Sequence, residues 1–180
     1  MNYKGKLLIS KPISDDSFFS KSVVFITDYD LQKGAIGFIL TKIYHQKLSD
    51  LVPDIDSEID VYIGGPVDSD HIFVIHSRPD LINDSISINE KYYWSGDFED
   101  IKIALQENLI NTNEIRFFIG YSGWKAEQLE NEIKKDDWLV KDNEDLNVLI
   151  WDNNLWKKEL IRVDKKNIIW INSPKNPKLN

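Results

Sequence analysis

The sequence predicts an α+β fold: a single domain built on a large, mixed, strongly curved (barrel-like) β-sheet, with helices packed on its outside. Three observations lead there. Short apolar runs rich in β-branched and aromatic residues crowd the first half of the chain, each bounded by glycine or proline. Helical periodicity enters only from residue 97 onward. Strand and helix patterns do not alternate regularly, which argues against a doubly wound parallel sheet. At 180 residues the chain is long enough for one sizeable core, and no Pro/Gly/Ser linker divides it. Residues 1–180 are therefore read as one domain, with 172–180 a flexible C-terminal tail.

The elements follow in order. Leu7-Leu8-Ile9 is a short strand ended by Lys11-Pro12. Ser22–Thr27 is β-branched and aromatic throughout, which suits a strand buried on both faces. Gly34–Leu40 resembles it, with two glycines where a neighbouring backbone can crowd in. The segment from Asp28 to Gly34 supplies the hairpin turn between them. Val61-Tyr62-Ile63 runs into Gly64-Gly65-Pro66, and Ile72–Ile75 follows within a few residues, a spacing that predicts two adjacent strands joined tightly. Phe98, Ile101, Leu105 and Leu109 fall on one helical face behind Asp97 as N-cap. Arg116–Ile119 is a strand closed by the turn Gly120-Tyr121-Ser122-Gly123-Trp124. A short helix carries Leu129 and Ile133. Leu146–Trp151 reads as a further strand, Asp152 or Asn153 caps a helix that turns Leu155, Trp156 and Leu160 inward, and Ile168–Ile171 adds a late strand or packs on the body.

Composition narrows the function. The chain has no cysteine, which removes disulfides, thiolate nucleophiles, iron–sulfur clusters and cysteine zinc sites together. No apolar run approaches the roughly 20 residues of a membrane-spanning helix. The first ten residues hold too short an apolar stretch for the about 7–15 residues of a secretory signal core. A cytoplasmic location without membrane contact is expected. The formal charge is −8, and the excess lies in residues 1–124, with 19 acidic and 11 basic residues. Phosphate backbones repel such a surface, so no direct nucleic-acid binding is expected. The basic C-terminal segment from Lys157 reads as a solvated helix face and a frayed end.

Three stretches carry a family likeness. The first is Gly5-Lys6-Leu7-Leu8-Ile9-Ser10-Lys11-Pro12 continuing through Asp16, Phe18 and Ser22–Phe25 to Gly34–Leu40. The second is Gly64-Gly65-Pro66-Val67 with Phe73-Val74-Ile75-His76. The third is Arg116–Trp124 with Gln128-Leu129-Glu130 and Trp138-Leu139, and Trp156 extends it. In order and spacing these resemble the YqgE/AlgH family of bacterial proteins. Two positions depart from it: Thr41 stands where the family usually has Asn, and Ser122 where it usually has Ala. The resemblance implies a compact fold with a large mixed sheet and no established enzyme activity, cofactor or catalytic residue. The AlgH name also carries an association with transcriptional control of exopolysaccharide synthesis.

Candidate chemistry is sparse. Ser122 invites a nucleophile-elbow reading, but Gly-x-Ser-x-Gly needs a glycine two residues on, and that position is Trp124. Gly64-Gly65-Pro66 can present backbone N–H groups as an anion nest, yet no phosphate-loop motif accompanies it. Asp68, Asp70 and His71 form a polar cluster of the kind common on solvated surfaces, and His71 and His76 point to opposite faces if one strand holds both. His76 reads as a satisfied strand-end histidine. Of the six tryptophans, Trp94 beside Tyr92 and Tyr93 is the candidate for a protein-binding patch. The expectation is a non-enzymatic binding or regulatory protein with an unknown protein or small-molecule partner. It has no catalytic residue, metal or cofactor, and any ligand site lies at Gly64, Gly65, Pro66, Gly120, Tyr121, Ser122 and Gly123. The alternative is an enzyme or small-ligand-binding protein whose site is assembled at those same two glycine turns.

Overall fold

The computed structural model describes residues 1–12, 18–55 and 57–163. In chain order its elements are β1 (Lys6–Ser10), β2 (Val23–Asp30), β3 (Gly34–Ile39), β4 (Ile43–Lys47), α1 (Leu48–Leu51), β5 (Asp60–Ile63), β6 (Val67–His76), β7 (Ile86–Ser87), β8 (Tyr93–Trp94), α2 (Phe98–Gln106), β9 (Ile115–Trp124), α3 (Gln128–Lys134), β10 (Trp138–Asp142) and α4 (Leu155–Val163). The strands join one sheet in the order β10-β1-β2-β3-β9-β6-β8-β7, with β5 attached to β9 and β4 to β5. The pair β5–β9 is parallel and the others are antiparallel, so the sheet is mixed. Its end strands β10 and β7 do not pair with each other, and it stays open where a barrel would close.

Both faces of the sheet are covered around β1 and the first half of β2, which is why those strands read as apolar runs. On one face Leu7, Ile9, Phe25, Phe38, Tyr62 and Phe118 meet α4 through Leu155, Trp156 and Leu160. On the other, Leu8, Val24, Ile26 and Ile39 pack on Leu129 of α3 and on Trp138. Further along that second face Val61, Val74, Phe117 and Ile119 pack on Leu48 of α1 and on Ile101 and Ala104 of α2. The expected N-cap is present: the Asp97 side chain accepts from the Glu99 and Asp100 N–H groups at 2.8 and 3.2 Å. The buried stripe of α2 is narrower than its periodicity predicts, since Phe98 and Leu109 are largely exposed.

Three expectations need correction. β5 and β6 are not neighbours; β9 lies between them, parallel to one and antiparallel to the other. The connection through Gly64–Pro66 steps over β9, and spacing alone cannot see a strand inserted from 50 residues downstream. Gly120–Trp124 is no turn, because β9 runs through it and pairs Ser122, Gly123 and Trp124 with Gly37, Ile36 and Ala35 of β3. Leu146–Trp151 is not a strand; it crosses the core face in turns, burying Val148 and Leu149. The proposed late strand at 168–171 and the tail at 172–180 lie outside the described residues.

Candidate functional site

The two glycine turns singled out from the sequence do come together, and they meet backbone to backbone. β5 and β3 lie end to end along one edge of β9, and Gly64 joins them. Its N–H donates to Ile119 O at 2.8 Å, and its carbonyl accepts from Ile39 N–H at 2.9 Å and from the Ser122 hydroxyl at 3.0 Å. A Cβ on Gly65 would sit 2.1 Å from the Tyr121 carbonyl, and one on Gly64 would sit 2.2 Å from Gly120 O. Gly120 itself has φ +63° and leaves a Cβ no room against Gly65 O.

This crossing changes the pleat of β9. Before Gly120 the even residues, Arg116 and Phe118, face the α4 side, where Phe118 pairs with Phe73 and Tyr62. After it the odd residues, Tyr121 and Gly123, take that side, while Ser122 and Trp124 turn to the other with Gly37 and Ala35. One residue in a left-handed conformation thus shifts the alternation by one position, as a bulge does. Ser122 ends mid-strand with no exposed surface and its hydroxyl committed to Gly64 O. Tyr121 and Gly123 reach a surface cavity of about 470 Å³, shared with Ile36, Val67, Lys33 and Lys125. Pro66 is exposed beside it.

The histidines separate as their strand predicts. His71 is exposed, and its Nδ1 lies 2.8 Å from Asp68 and 3.3 Å from Asp70, contacts that raise its pKa. His76 is fully buried. Its Nδ1 accepts the Arg78 N–H at 3.2 Å, which puts the ring proton on Nε2, facing Ser95 O at 3.2 Å and Ser85 Oγ at 3.0 Å. The Ser85 hydroxyl in turn donates to Ile82 O at 2.6 Å. This serine–histidine contact therefore runs in the wrong direction for a base to activate a nucleophile. Burial holds the His76 pKa below its usual value.

Trp94, Trp124, Trp138 and Trp156 belong to the packing of the core. Trp124 and Trp138 stand edge to face at 6.1 Å, and both ring N–H groups donate to Glu132 Oε2, at 2.7 and 2.9 Å. Trp156 donates to Ser10 O at 2.8 Å. Tyr92 is buried against Phe25 and Trp94 packs on Phe38, so the surface patch expected around Tyr92–Trp94 is replaced by core packing.

Sequence reasoning passed over Arg116 except as a strand residue. It is 2% exposed, between Tyr62, Phe118 and Trp151, on the wall of a second cavity of about 320 Å³. A signal was available: one cation inside the otherwise apolar run Ile115-Arg116-Phe117-Phe118-Ile119.

Comparison with known proteins gives a consistent picture. The AlgH-like family model matches residues 7–167. A UPF0301 protein of Cytophaga hutchinsonii is 33% identical over 98% of this chain and 98% of its own length. Another from Bacteroides thetaiotaomicron is 36% identical over 98% and 91%. The solution structure of the AlgH protein from Pseudomonas aeruginosa superposes with a TM-score of 0.74 at 21% identity, covering 97% of this chain and 96% of that one. The crystal structure of protein DIP2367 from Corynebacterium diphtheriae gives 0.72 at 19%, covering 90% and 87%. Among the described residues no helix is long and apolar enough to cross a membrane.

Proposed function

The chain belongs to the AlgH-like family, and from that starting point we propose that it acts as a binding protein, making its contacts with a protein or small molecule through the surface beside Tyr121 and Gly123. The observation that carries this reading is the fate of the polar groups at the glycine crossing. The Ser122 hydroxyl and the Gly64 N–H and carbonyl are spent on one another and on neighbouring strands. What the crossing offers outward is a partly apolar cavity lined by Tyr121, Val67 and Ile36 together with Asp28, Asp30, Lys33 and Lys125, a mixture suited to holding a partner in place. A cytoplasmic setting fits a chain without cysteine, and an indirect part in transcriptional regulation fits an acidic surface better than direct contact with DNA does.

Two experiments test the reading. A fluorophosphonate probe, which marks activated serines, is expected to leave Ser122 and Ser85 unmodified; a stoichiometric adduct on either would replace the binding reading with an enzyme. In cells lacking the protein, transcript changes should be reversed by the wild type and by Ser122→Ala. Val67→Asp, on an exposed position of the cavity, should fail to reverse them while melting like the wild type. Full rescue by Val67→Asp would remove this surface from the function.

A further inference from the structure

Two charged side chains are buried among the described residues, Arg116 and Glu159. Glu159 is neutralised by Lys141 at 2.6 Å and Arg162 at 2.7 Å. Arg116 has no carboxylate within ion-pair reach among the described residues. Its Nη1 donates to Val148 O and its Nη2 to Leu40 O, each at 2.8 Å, and Nε is buried without a partner. A guanidinium carries five N–H donors, so this one is under-used. The Tyr62 ring lies 3.8 Å from its central carbon, which offsets part of the cost of burying the charge. Desolvation lowers its pKa to about 10, so the group still carries its charge at neutral pH. A buried cation of this kind, with donors unspent, is stabilised by any anion that reaches it.

The cavity beside it limits which anion fits. Its volume of about 320 Å³ is at the small end of the about 300–1,000 Å³ of small-molecule sites. Ile59, Tyr62, Ile150 and Trp151 contribute apolar lining, and Glu58 and Asp60 contribute negative groups. Asp60 is already paired with Lys47 at 2.5 Å; Glu58 is exposed. A phosphate would meet both acids at close quarters. A carboxylate matches the planar guanidinium fork, and a ligand that also carries an ammonium group satisfies the acids.

We propose that this cavity binds a free α-amino acid with an apolar or aromatic side chain, its carboxylate on Arg116, its ammonium towards Glu58 and Asp60, and its side chain against Tyr62 and Trp151. Arg116 is then the anion-anchoring residue. The segment 149–151, held in turns and lacking a strand ladder, is the wall that yields on entry. The site shares no residue with the Tyr121–Gly123 surface, and neither assignment requires the other.

The test is titration of the whole protein with L-phenylalanine, followed by calorimetry and by tryptophan fluorescence, to which Trp151 contributes. Phenylalaninamide, which lacks the carboxylate, 3-phenylpropionate, which lacks the amine, and inorganic phosphate serve as controls. L-Phenylalanine should bind saturably, about tenfold or more tightly than any of the three. Arg116→Met should weaken it by about the same factor. Should that variant fail to fold, Glu58→Lys at the exposed rim decides: it should weaken L-phenylalanine and strengthen 3-phenylpropionate, inverting their order. Equal binding of the amide, tighter binding of phosphate, an unchanged order in Glu58→Lys, or no saturable binding of L-phenylalanine up to about 10 mM, where affinity falls below about 3 kcal/mol, would each overturn the proposal.

Discussion

Gly120 and Arg116 sit four residues apart on β9 and solve the problem of buried polarity in opposite ways. At Gly120 the chain brings two stretches of backbone, 64–69 and 120–122, so close that no side chain fits between them, and the Gly64 N–H, the Gly64 carbonyl and the Ser122 hydroxyl all find partners. At Arg116 the chain buries a full charge, gives it two carbonyls and an aromatic face, and leaves the Nε donor unspent beside a cavity. Unspent buried polarity is costly to keep. The satisfied crossing therefore reads as scaffold, and the unsatisfied guanidinium is what carries the ligand site proposed above, although motif reading points to the glycines first.

The comparison breaks most easily at the glycines. Gly65→Ala places a Cβ 2.1 Å from the Tyr121 carbonyl, and because three strands meet there it should cost about 4 kcal/mol or more. A domain stable by about 5–15 kcal/mol would then melt far earlier or fail to accumulate; a denaturant melt close to the wild type would show that the crossing has slack and room for a ligand. Trp124→Ala tests the shifted pleat. If the shift at Gly120 seats this ring against Ala35, Leu129 and Trp138, truncation should cost about 3–5 kcal/mol, and a loss under about 1 kcal/mol would place it on the surface.

Arg116→Met sharpens the contrast with Gly65. It removes an uncompensated charge and also strips Val148 O and Leu40 O of their donor. The two effects oppose each other, so chemical denaturation should find stability within about 2 kcal/mol of the wild type; a collapse as deep as that of Gly65→Ala would make the arginine scaffold too. Ser122→Ala should lose one hydrogen bond, about 1 kcal/mol, and a larger loss would mean that Gly64 O depends on it.

The smallest effect is in pH. His76 is buried and satisfied yet titratable, with its folded-state pKa below 6.5 because burial disfavours the charged ring. Above pH 6.5 the ring is neutral in both states and its contribution is intact. As pH falls through 6.5 towards the lower folded value, the unfolded chain takes up the proton first and stability drops. His76→Gln should flatten that limb of a stability–pH curve relative to the wild type, and an unchanged limb would assign it to other groups. Exposed His71, with its pKa raised by Asp68 and Asp70, acts in the opposite sense and is common to both proteins, so it cancels.

Much of the fold was legible in the residues themselves. The strands at 23–30 and 34–39 follow from short runs rich in β-branched and aromatic residues, α2 and α4 from their periodicity, and the N-terminus of α2 from Asp97. These are local properties, fixed by side-chain shape and by hydrogen bonds a few residues apart. The insertion of β9 between β5 and β6, and the turns at 146–151 that read as a strand, were settled by partners distant in sequence. The same holds for the site. Gly64, Gly65 and Gly120 announced close backbone approach, which glycine always permits, but not that they approach one another. Arg116 showed only as a cation among apolar residues. That Leu40, Tyr62, Val148 and Trp151 surround it, while the acids among the described residues stay out of ion-pair reach, is decided only when four separate segments pack, because the cost of a buried charge depends on what tertiary structure places around it.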